Sequence, residues 1–483
     1  MKKNLRKTNI VCTIGPASEK RLEELMKTGM SVARINFSHG SYPEQEEKIN
    51  DFLAIREKLG MPVAMLLDMQ GPEVRTGMLV TGKNVKVELK EGDPFVFYNE
   101  DMVGDEKGVS ISYKDLYKDV KPGDTILIDD GAINVQVKEI KGKDIHCQVV
   151  DGGKLGSRKS VNVPGVSLKL PALKEKDIQD LIDGARVGFD YVAGSFVRNK
   201  EDVLAIRKVL DEHGGQDIKI ICKIENQEGI DNFEEILANS DGIMVARGDM
   251  AVEVPFEVVP VVQKRFIKRC NEEGKLVITA TQMLESMTEN PLPTRAEVSD
   301  VANAVYDRTA CVMLSGECAM GKYPVKCVDT MVRVAKSVEP TINYWKRFTK
   351  KDFKLDVNDI EGNVAYTTCV TARDIKADAI VAYTHTGNSV RRISGMGAQC
   401  PIFAITDCKK TYNQLAPTWN VFPILIENEK NIKDTITKGM EKLKQEGTLE
   451  KGDTIVLAGG PNIVSDEKEE YEVNKTIGGV VRI

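Results

Sequence analysis

Short apolar runs alternate with amphipathic segments over residues 9–69 of the chain. This pattern predicts strands and helices that follow one another along the sequence. Three strands are predicted over Asn9–Gly15, Val32–Phe37 and Val63–Met69, and helices over Ser18–Thr28 and Tyr42–Leu59 lie between them. Strict alternation of strand and helix favours parallel βαβ units whose strands are buried on both faces.

The alternation stops near Pro72 and resumes after Val166. Between these residues, β-rich runs such as Thr125–Ile128 are separated by Gly, Asp and Pro turns, which predicts an inserted all-β domain. Helices are then predicted over Asp177–Val187 and Lys200–His213. The remaining strands are predicted over Tyr191–Val197, 219–225, 242–248, Leu276–Gln282 and Cys311–Ser315. The eight strands so counted predict a (β/α)₈ barrel with its insertion after the third strand.

A long helix is predicted over Val325–Arg347, and a new α/β pattern starts near Asn363. We therefore predict an α/β protein with three domains, which its 483 residues are sufficient to form. These domains are a (β/α)₈ TIM barrel from residues 1–71 and 167–345, an inserted all-β domain at 72–166, and a C-terminal α/β domain at 346–483.

Composition excludes several classes of protein. With 41% hydrophobic and 29% charged residues, the chain is neither fibrous nor disordered. No apolar run approaches the roughly 18 residues of a membrane span, and the start of the chain lacks a signal-peptide apolar region, so we expect a cytoplasmic protein with no membrane partner. The ten cysteines form no Cys-x-x-Cys pair and are expected to be free thiols. A net charge of −6, with basic and acidic residues interspersed, argues against a nucleic-acid partner.

Two predicted strands end in charged groups where core strands would normally end in apolar ones. Lys223 and Glu225 are two residues apart and therefore share one strand face. Asp249 follows the next predicted strand. In a parallel βαβ unit both carboxylates emerge at the carboxyl ends of neighbouring strands, where α/β folds place their chemistry. A lysine between two carboxylates suited to Mg²⁺ indicates phosphate chemistry.

Polar residues also follow other barrel strands. Arg34, Asn36 and Ser38 alternate onto one face of the second strand. A half-solvated edge strand is the alternative, but an inward-facing barrel position has no solvent to explain Arg34. After the third strand, a Gly-Pro turn is flanked by Asp68, Glu73 and Arg75, and a simple domain hinge is the alternative there. Thr281 lies at the end of the seventh predicted strand and is, taken alone, more typical of a structural cap than of a catalyst.

Five motifs in this order resemble pyruvate kinase over nearly the whole chain. They are Arg34–Gly40, Gly71–Gly77, the strand with Lys223 and Glu225, Ala246–Asp249, and Thr281–Met287. The resemblance implies transfer of the phosphoryl group of phosphoenolpyruvate to ADP, giving pyruvate and ATP, the final step of glycolysis. It also implies a barrel, a β-barrel lid, a C-terminal domain and a homotetramer.

The resemblance further implies roles for individual residues. The catalytic residues are Lys223, Thr281, Arg34 and Arg75. Lys223 stabilises the transferring phosphoryl group and the enolate, and Thr281 helps to deliver a proton to the enolate through water, because a threonine hydroxyl is itself a poor acid. Substrate contacts come from Arg34, Ala246, Arg247, Gly248, Asp249 and Thr281, where backbone amides at the turn into a helix suit a carboxylate. Nucleotide contacts come from Asn36, His39, Arg75 and Lys176.

Two cation sites are implied as well. Glu225 and Asp249 hold Mg²⁺ or Mn²⁺, both of which prefer oxygen ligands. Potassium is held by Asn36, Ser38, Asp68 and the carbonyl of Met69. The glutamate at position 73 predicts dependence on K⁺, since a lysine there would supply the positive charge internally. The chain departs from the usual pattern at Met69-Gln70, where a Thr-Lys pair commonly accompanies that glutamate.

An effector site is predicted in the C-terminal domain. The loop Thr384, His385, Thr386, Gly387, Asn388 and Ser389 lies between a strand and a basic helix, so its hydroxyls and amides are placed to hold a phosphate; a plain capped loop is the alternative. A later loop has Gly459-Gly460-Pro461 followed by Asp466, Glu467, Glu469 and Glu470. Because these acids repel a bisphosphate, we expect a monophosphorylated sugar or nucleotide, or no effector, in place of fructose 1,6-bisphosphate.

Two other functions remain open from the sequence. A barrel enzyme that uses phosphoenolpyruvate or pyruvate with Mg²⁺, such as a carbon-carbon lyase, would need no ADP contacts, whereas the inserted domain and Arg75 favour the kinase. A non-catalytic metabolite sensor should have lost Lys223, Glu225, Asp249 or Thr281, and all four are present.

Overall fold

The computed structural model describes residues 5–82, 85–348, 355–427, 429, 432–458 and 479–482. A closed barrel of eight strands is the largest unit within them. Each strand pairs in parallel with its successor, and the first also pairs with the eighth. In chain order the barrel strands are Asn9–Thr13, Val32–Asn36, Ala64–Asp68, Tyr191–Gly194, Lys219–Ile224, Gly242–Ala246, Leu276–Ala280 and Cys311–Leu314.

Helices cover the outside of these strands. Because both faces are covered, strands such as Ala64–Asp68 and Leu276–Ala280 are buried at every position. The helices of this part of the chain are Leu22–Thr28, Tyr42–Leu59, Glu175–Val187, Lys200–Glu212, Gln227–Asp231, Phe233–Asn239, Arg247–Glu253, Val259–Glu272, Arg295–Tyr306, Gly316–Ala319, Pro324–Val338 and Tyr344–Arg347. Of the helices in the described residues, none has the length and apolar character that crossing a membrane requires.

The barrel agrees with the predicted strand count, but all eight of its strands end earlier than predicted. The predicted strand Tyr191–Val197 ends at Gly194, and the one predicted over 242–248 ends at Ala246, where a helix begins at once. The predicted helix Val325–Arg347 is also interrupted: Pro324–Val338 is followed by a 3₁₀ turn at Glu339–Thr341, because Pro340 cannot continue the hydrogen-bond ladder.

The insertion after the third barrel strand is a separate curled β domain. It contains a six-stranded sheet and a two-stranded sheet around its own apolar core, which includes Phe95, Phe97 and Ile126. Its strands are Val87–Leu89, Pro94–Tyr98, Gly108–Ser110, Thr125–Ile128, Ile133–Lys141, Asp144–Asp151, Gly153–Leu155 and Val161–Asn162, and its helix is Leu116–Asp119. We call this domain the lid.

The C-terminal domain is a five-stranded sheet with helices on both faces. Alternate residues of its strands pack into two separate clusters, so that Ile380 and Ala404 lie in one cluster while Val381 and Phe403 lie in the other. The strands are Ala379–Tyr383, Ile402–Thr406, Val421–Leu425, Thr454–Ala458 and Gly479–Arg482, and the helices are Ile360–Asp374, Asn388–Met396, Lys409–Gln414 and Ile432–Gln445.

Hydrogen bonds from side chains join the lid to the barrel. Arg198, which follows the fourth barrel strand, donates from Nη1 at 3.0 and 2.9 Å to the carbonyls of Leu168 and Leu170, two residues that follow the lid in the chain and pack against its core. Asn162 of the lid donates to Glu253 of the barrel at 2.7 Å. These contacts hold the lid over the carboxyl ends of the barrel strands.

Candidate active site

Lys223 is the centre of a buried polar cluster at the carboxyl ends of the barrel strands. Its Nζ lies 2.8 Å from Ser195 Oγ, 3.0 Å from Glu225 Oε1 and 3.4 Å from Asp68 Oδ1. The three neighbours come from three adjacent strand ends, and only 12% of the lysine side chain is exposed. The structure thus brings Lys223 and Glu225, at the end of the fifth strand, together with Asp68 of the third.

The charge of Lys223 is fixed by these neighbours. Burial alone would lower the pKa of the lysine, but the carboxylates of Asp68, Glu225 and Asp249 outweigh burial, so its pKa is raised above the ordinary value. Lys223 is therefore an ammonium ion at neutral pH. It is suited to stabilise negative charge and not to act as a base.

The two oxygens of Glu225 have different partners. Oε2 accepts a hydrogen bond from the backbone N–H of Phe196 at 2.6 Å, whereas the buried Oε1 has, within the described ranges, only the ionic contact with Lys223 Nζ at 3.0 Å. Burial raises the pKa of Glu225 to about 8; Lys223 opposes the shift and Asp249 adds to it. A buried carboxylate oxygen in this state fits a divalent cation, which would supply the missing positive charge.

Asp249 is the second predicted ligand and lies in the first turn of the helix Arg247–Glu253. Its negative charge raises the pKa of both Lys223 and Glu225, which places it in the same electrostatic cluster. No group of three or more His, Cys, Asp or Glu side chains that could hold a metal occurs within the described ranges. An ion held by these two carboxylates would keep several positions for substrate and water, as Mg²⁺ commonly does.

Two nitrogens of the Arg34 guanidinium, Nε and Nη1, contact neighbouring side chains, and Nη2 is left to bind an anion. Its Nε lies 2.5 Å from Asp68 Oδ2, and its Nη1 donates to Thr13 Oγ1 at 2.8 Å. Among the residues that the structure describes, none accepts a hydrogen bond from its Nη2. Burial would raise the pKa of Asp68, but Arg34 and Lys223 outweigh burial and lower it. The guanidinium is therefore fixed in place with donors left for an anion.

The residues predicted for potassium are oxygen donors at the ends of the second and third strands. Asn36 stands opposite Asp68 in the strand register, and Met69 follows directly. The predicted position of Ser38 on the second strand is wrong. The strand ends at Asn36, and Ser38 lies in a 3₁₀ turn, where its own backbone N–H donates to Asn36 Oδ1 at 3.0 Å. Asn36 and Ser38 therefore meet through a turn and not through strand alternation. A set made only of oxygen donors suits a hard cation such as K⁺.

Thr281 and the turn Ala246–Gly248 are in contact. The N–H of Gly248 donates to Thr281 Oγ1 at 2.8 Å, and that hydroxyl donates to the carbonyl of Ala280 at 2.7 Å. Thr281 has φ of +69°, a strained value for a β-branched residue. The side chain of Arg247 is engaged elsewhere: its Nη1 lies 2.8 Å from Asp300 Oδ1 and its Nη2 donates to the Thr281 carbonyl at 2.6 Å. Arg247 can therefore meet a substrate only through its backbone.

Two of the predicted nucleotide residues, Arg75 and Lys176, have hydrogen-bond partners outside the cluster around Lys223. Arg75 of the lid donates from Nε to Glu73 Oε2 at 2.9 Å and from Nη1 to the carbonyl of Arg158 at 2.9 Å. Lys176 donates to the carbonyl of Phe37 at 2.7 Å and to Asp180 at 2.6 Å, which places it beside the 3₁₀ turn Phe37–His39. The side chain of His39 lies outside the described residues.

Two cavities open at this end of the barrel. One, of about 360 Å³, lies between lid and barrel and is lined by Glu73, Asp130, Asn162, Phe196 and Asp249 among others. The other, of about 810 Å³, lies on the far side of Arg34 and includes the segment Thr13–Pro16, Asn36, Ser315 and Gly316. Asp249 lines the first cavity and Arg34 lines the second, so both cavities reach residues of the charged cluster.

Sequence reasoning missed Thr13, Ser195 and Phe196. Ser195 follows a strand in the same way as the polar residues that were found, so the strand-end rule could have identified it. Thr13 is a polar residue at the end of the first strand. The contribution of Phe196 is a backbone N–H, and no property of its side chain indicates that role.

The predicted effector loop lies between the strand Ala379–Tyr383 and the helix Asn388–Met396. Thr384 Oγ1 accepts from the N–H of Gly387 at 2.8 Å, and Arg391 donates to the carbonyl of Thr386 at 3.1 Å. His385 Nδ1 lies 2.7 Å from Asp407 Oδ1, which adds a carboxylate beside the loop. The acidic run Asp466, Glu467, Glu469 and Glu470 and the segment Gly459-Gly460-Pro461 lie outside the described residues.

The Lys223 ammonium group lies among carboxylates at the carboxyl ends of the barrel strands, and a lid inserted after the third strand covers it. These features are typical of a (β/α)₈ enzyme that stabilises an anion. The family model for the pyruvate kinase barrel domain matches residues 5–328, and the model for the pyruvate kinase alpha/beta domain matches residues 362–469. The chain belongs to the pyruvate kinase family.

Individual relatives agree with this assignment. The chain is similar to pyruvate kinase of Clostridium acetobutylicum, with 47% identity over 94% of this chain and 96% of the relative. Pyruvate kinase of Clostridium perfringens is 44% identical over 96% of this chain and 100% of the relative. Pyruvate kinase of Bacillus licheniformis is also 44% identical, over 94% of this chain and 78% of the relative.

Proposed function

We propose that this chain transfers the phosphoryl group of phosphoenolpyruvate to ADP at the mouth of the barrel, with Lys223 as the central catalytic cation. The contact of its ammonium group with Glu225 Oε1, an otherwise unsatisfied buried oxygen, carries the proposal. Family membership supports the reaction, and the geometry supports the place of that reaction.

The role of each residue follows from its position in the site. A phosphoryl group in transfer spreads negative charge over its oxygens, so catalysis depends on positioning and on fixed positive charge. Arg34 holds the phosphoryl oxygens with its remaining donors, and Lys223 stabilises the charge that develops on the phosphoryl group and on the enolate. Arg75, Asn36, His39 and Lys176 orient the nucleotide from the rim.

Backbone amides bind the carboxylate end of the substrate. Amides of the turn Ala246–Gly248 receive the carboxylate, which replaces the present contact between the Gly248 N–H and Thr281 Oγ1. Once released, the Thr281 hydroxyl orients the water that protonates the enolate carbon. A threonine acts here as an orienting group, because its own proton is too weakly acidic.

Two cations complete the proposal. A divalent ion, Mg²⁺ or Mn²⁺, at Glu225 and Asp249 supplies charge neutralisation for the phosphoryl oxygens when bound. K⁺ is assigned to Asn36, Ser38, Asp68 and the Met69 carbonyl. The same proposal assigns the barrel to residues 1–71 and 167–345, the lid to 72–166 and a regulatory domain to 346–483. The regulatory domain binds an effector at Thr384–Ser389. The proposal also includes a homotetramer and a cytoplasmic location.

Initial rates test the reaction directly. With phosphoenolpyruvate, ADP, Mg²⁺ and K⁺ together, we expect pyruvate and ATP in equal amounts, and we expect omission of ADP or of Mg²⁺ to stop both products. A carbon-carbon lyase or a phosphatase would consume phosphoenolpyruvate without ADP. Pyruvate formed at an unchanged rate without ADP would therefore contradict the proposal.

The dependence on K⁺ is expected to follow the charge at position 73. The Glu73 carboxylate lies beside Arg75, 2.8 Å from its Nη2. We expect the wild type to be strongly activated by K⁺ and weakly by Na⁺. Glu73→Lys should show appreciable turnover without K⁺, because its ammonium replaces the ion.

Glu73→Gln is the matched control for that prediction. It removes the carboxylate without supplying a cation, so its requirement for K⁺ should persist. A wild type with equal turnover in the presence and absence of K⁺ would mean that Met69 and Gln70 override the effect of Glu73.

A further inference from the structure

Ser195 lies at the junction of the two proposed cation sites. It follows the fourth barrel strand, whose neighbours are the third strand, ending at Asp68, and the fifth strand, which carries Lys223. Its side chain is buried, with 6% of the residue exposed. Ser195 Oγ lies 2.8 Å from Lys223 Nζ, 2.6 Å from the Met69 carbonyl oxygen and 3.4 Å from Asp68 Oδ1.

The direction of these hydrogen bonds is fixed by chemistry. An ammonium group can only donate and a carbonyl can only accept, while a hydroxyl carries one proton and can do both. Lys223 therefore donates to Ser195, and the single hydroxyl proton of Ser195 goes to the nearer acceptor, the Met69 carbonyl at 2.6 Å, in preference to Asp68 Oδ1 at 3.4 Å. Because consecutive hydrogen bonds polarise one another, a change in charge at the carbonyl is felt at the ammonium group.

The backbone holds Ser195 in this position. Phe196 has φ of +54°, a conformation that is uncommon for a residue other than glycine, and its N–H donates to Glu225 Oε2 at 2.6 Å. On the other side, a Cβ added to Gly71 would lie 2.8 Å from Ser195 Cβ. The turn is thus packed closely against the loop that follows the third strand, and it is hydrogen-bonded to the proposed divalent ligand Glu225, so Ser195 has little freedom to move away from Lys223.

We propose that Ser195 is a positioning residue that couples occupancy of the monovalent-cation site to the orientation of Lys223. A cation bound at the Met69 carbonyl polarises the acceptor of the Ser195 hydroxyl and so sets the direction of the ammonium protons. This inference rests on the proposed function, because it assigns a route by which K⁺ acts on the residue that stabilises the transferring group.

The test is Ser195→Ala, assayed with saturating K⁺ and without monovalent activator. If Ser195 transmits the effect of the ion, the variant should lose about tenfold in kcat with K⁺ and less than about twofold without it, while KM for phosphoenolpyruvate changes little. A purely structural role would lower turnover by the same factor in both conditions, and that result would overturn the inference. So would a wild type whose turnover does not respond to K⁺.

A second readout does not depend on activity. Ser195→Ala keeps all four proposed K⁺ ligands, so the rise in melting temperature on adding K⁺ should equal that of the wild type. Loss of this shift would show that the serine serves ion binding alone and would overturn the coupling role.

Ser240→Ala is the matched control. Ser240 is equally buried, at 6% exposure, but it precedes the sixth strand at the opposite end of the barrel. It should respond to K⁺ as the wild type does. A wild type that makes no ATP from phosphoenolpyruvate and ADP would contradict the proposed function. If the wild type makes ATP normally and the kcat of Ser195→Ala decreases by the same factor with and without K⁺, only the coupling role is contradicted.

Discussion

Lys223→Met should lower kcat by roughly 10²–10³-fold, the range associated with removing one preorganised donor from a developing negative charge. Binding of phosphoenolpyruvate should change by less than about tenfold, because the ammonium acts mainly on charge that appears in the transition state. Methionine keeps the length of the side chain and removes the charge. The measurement is kcat from initial rates, together with the dissociation constant of phosphoenolpyruvate from fluorescence quenching.

Lys219→Met is the control for this experiment. Lys219 begins the same strand, and its Nζ forms an ion pair with Asp241 at 3.2 Å at the far end of the barrel. It should leave kcat unchanged. Removing Lys223 also leaves the buried carboxylates of Glu225 and Asp68 with less compensation, so the melting temperature should fall. Turnover of Lys223→Met at the wild-type rate would contradict the role assigned to the lysine.

The fold follows largely from the sequence because each of its parts has a local signal. Alternation of apolar strands with amphipathic helices predicted the eight-stranded barrel, and the change to short β runs near Pro72 predicted the insertion. Both predictions are confirmed, as is membership of the pyruvate kinase family. The predicted strand ends were less accurate. Phe196 and Ser38 both lie in turns, where the backbone N–H of Phe196 donates to Glu225 and that of Ser38 donates to Asn36.

The site was predictable only in part, and the reason is physical. Lys223, Glu225 and Asp249 could be predicted because a charged residue at the end of a buried strand has no structural explanation. The opposition of Asn36 and Asp68 depends on the register between two strands, which no single segment encodes. The diversion of the Arg247 side chain depends on Asp300, a residue 53 positions along the chain.

The roles assigned to single residues remain predictions, and the charges of the site give them a physical basis. The unsatisfied oxygen of Glu225 and the raised pKa of Lys223 describe a site with excess negative charge on one side and a fixed ammonium on the other. Such an arrangement is costly unless a cation completes it. This cost is a physical reason to expect a divalent ion in addition to the family resemblance.

Replacing Glu225 or Asp249 by alanine should therefore abolish activation at the divalent-ion concentrations that saturate the wild type. Second-sphere changes typically weaken metal binding by 10- to 100-fold, so loss of a direct ligand should raise the Mg²⁺ concentration for half-activation by at least about a hundredfold. Two carboxylates hold the ion against water, and neither alone suffices. Glu225→Ala also removes one of the carboxylates that raise the pKa of Lys223.

Binding of Mn²⁺, followed by the electron paramagnetic resonance of the free ion, separates loss of the metal from loss of chemistry. The control is Glu253→Ala, since Glu253 is a carboxylate on the same helix as Asp249 whose partner is Asn162 of the lid, at 2.7 Å. It should bind Mn²⁺ as the wild type does. Wild-type Mg²⁺ titrations in both Glu225→Ala and Asp249→Ala would place the divalent ion elsewhere, and would leave the unsatisfied oxygen of Glu225 as a feature of the Lys223 ion pair alone.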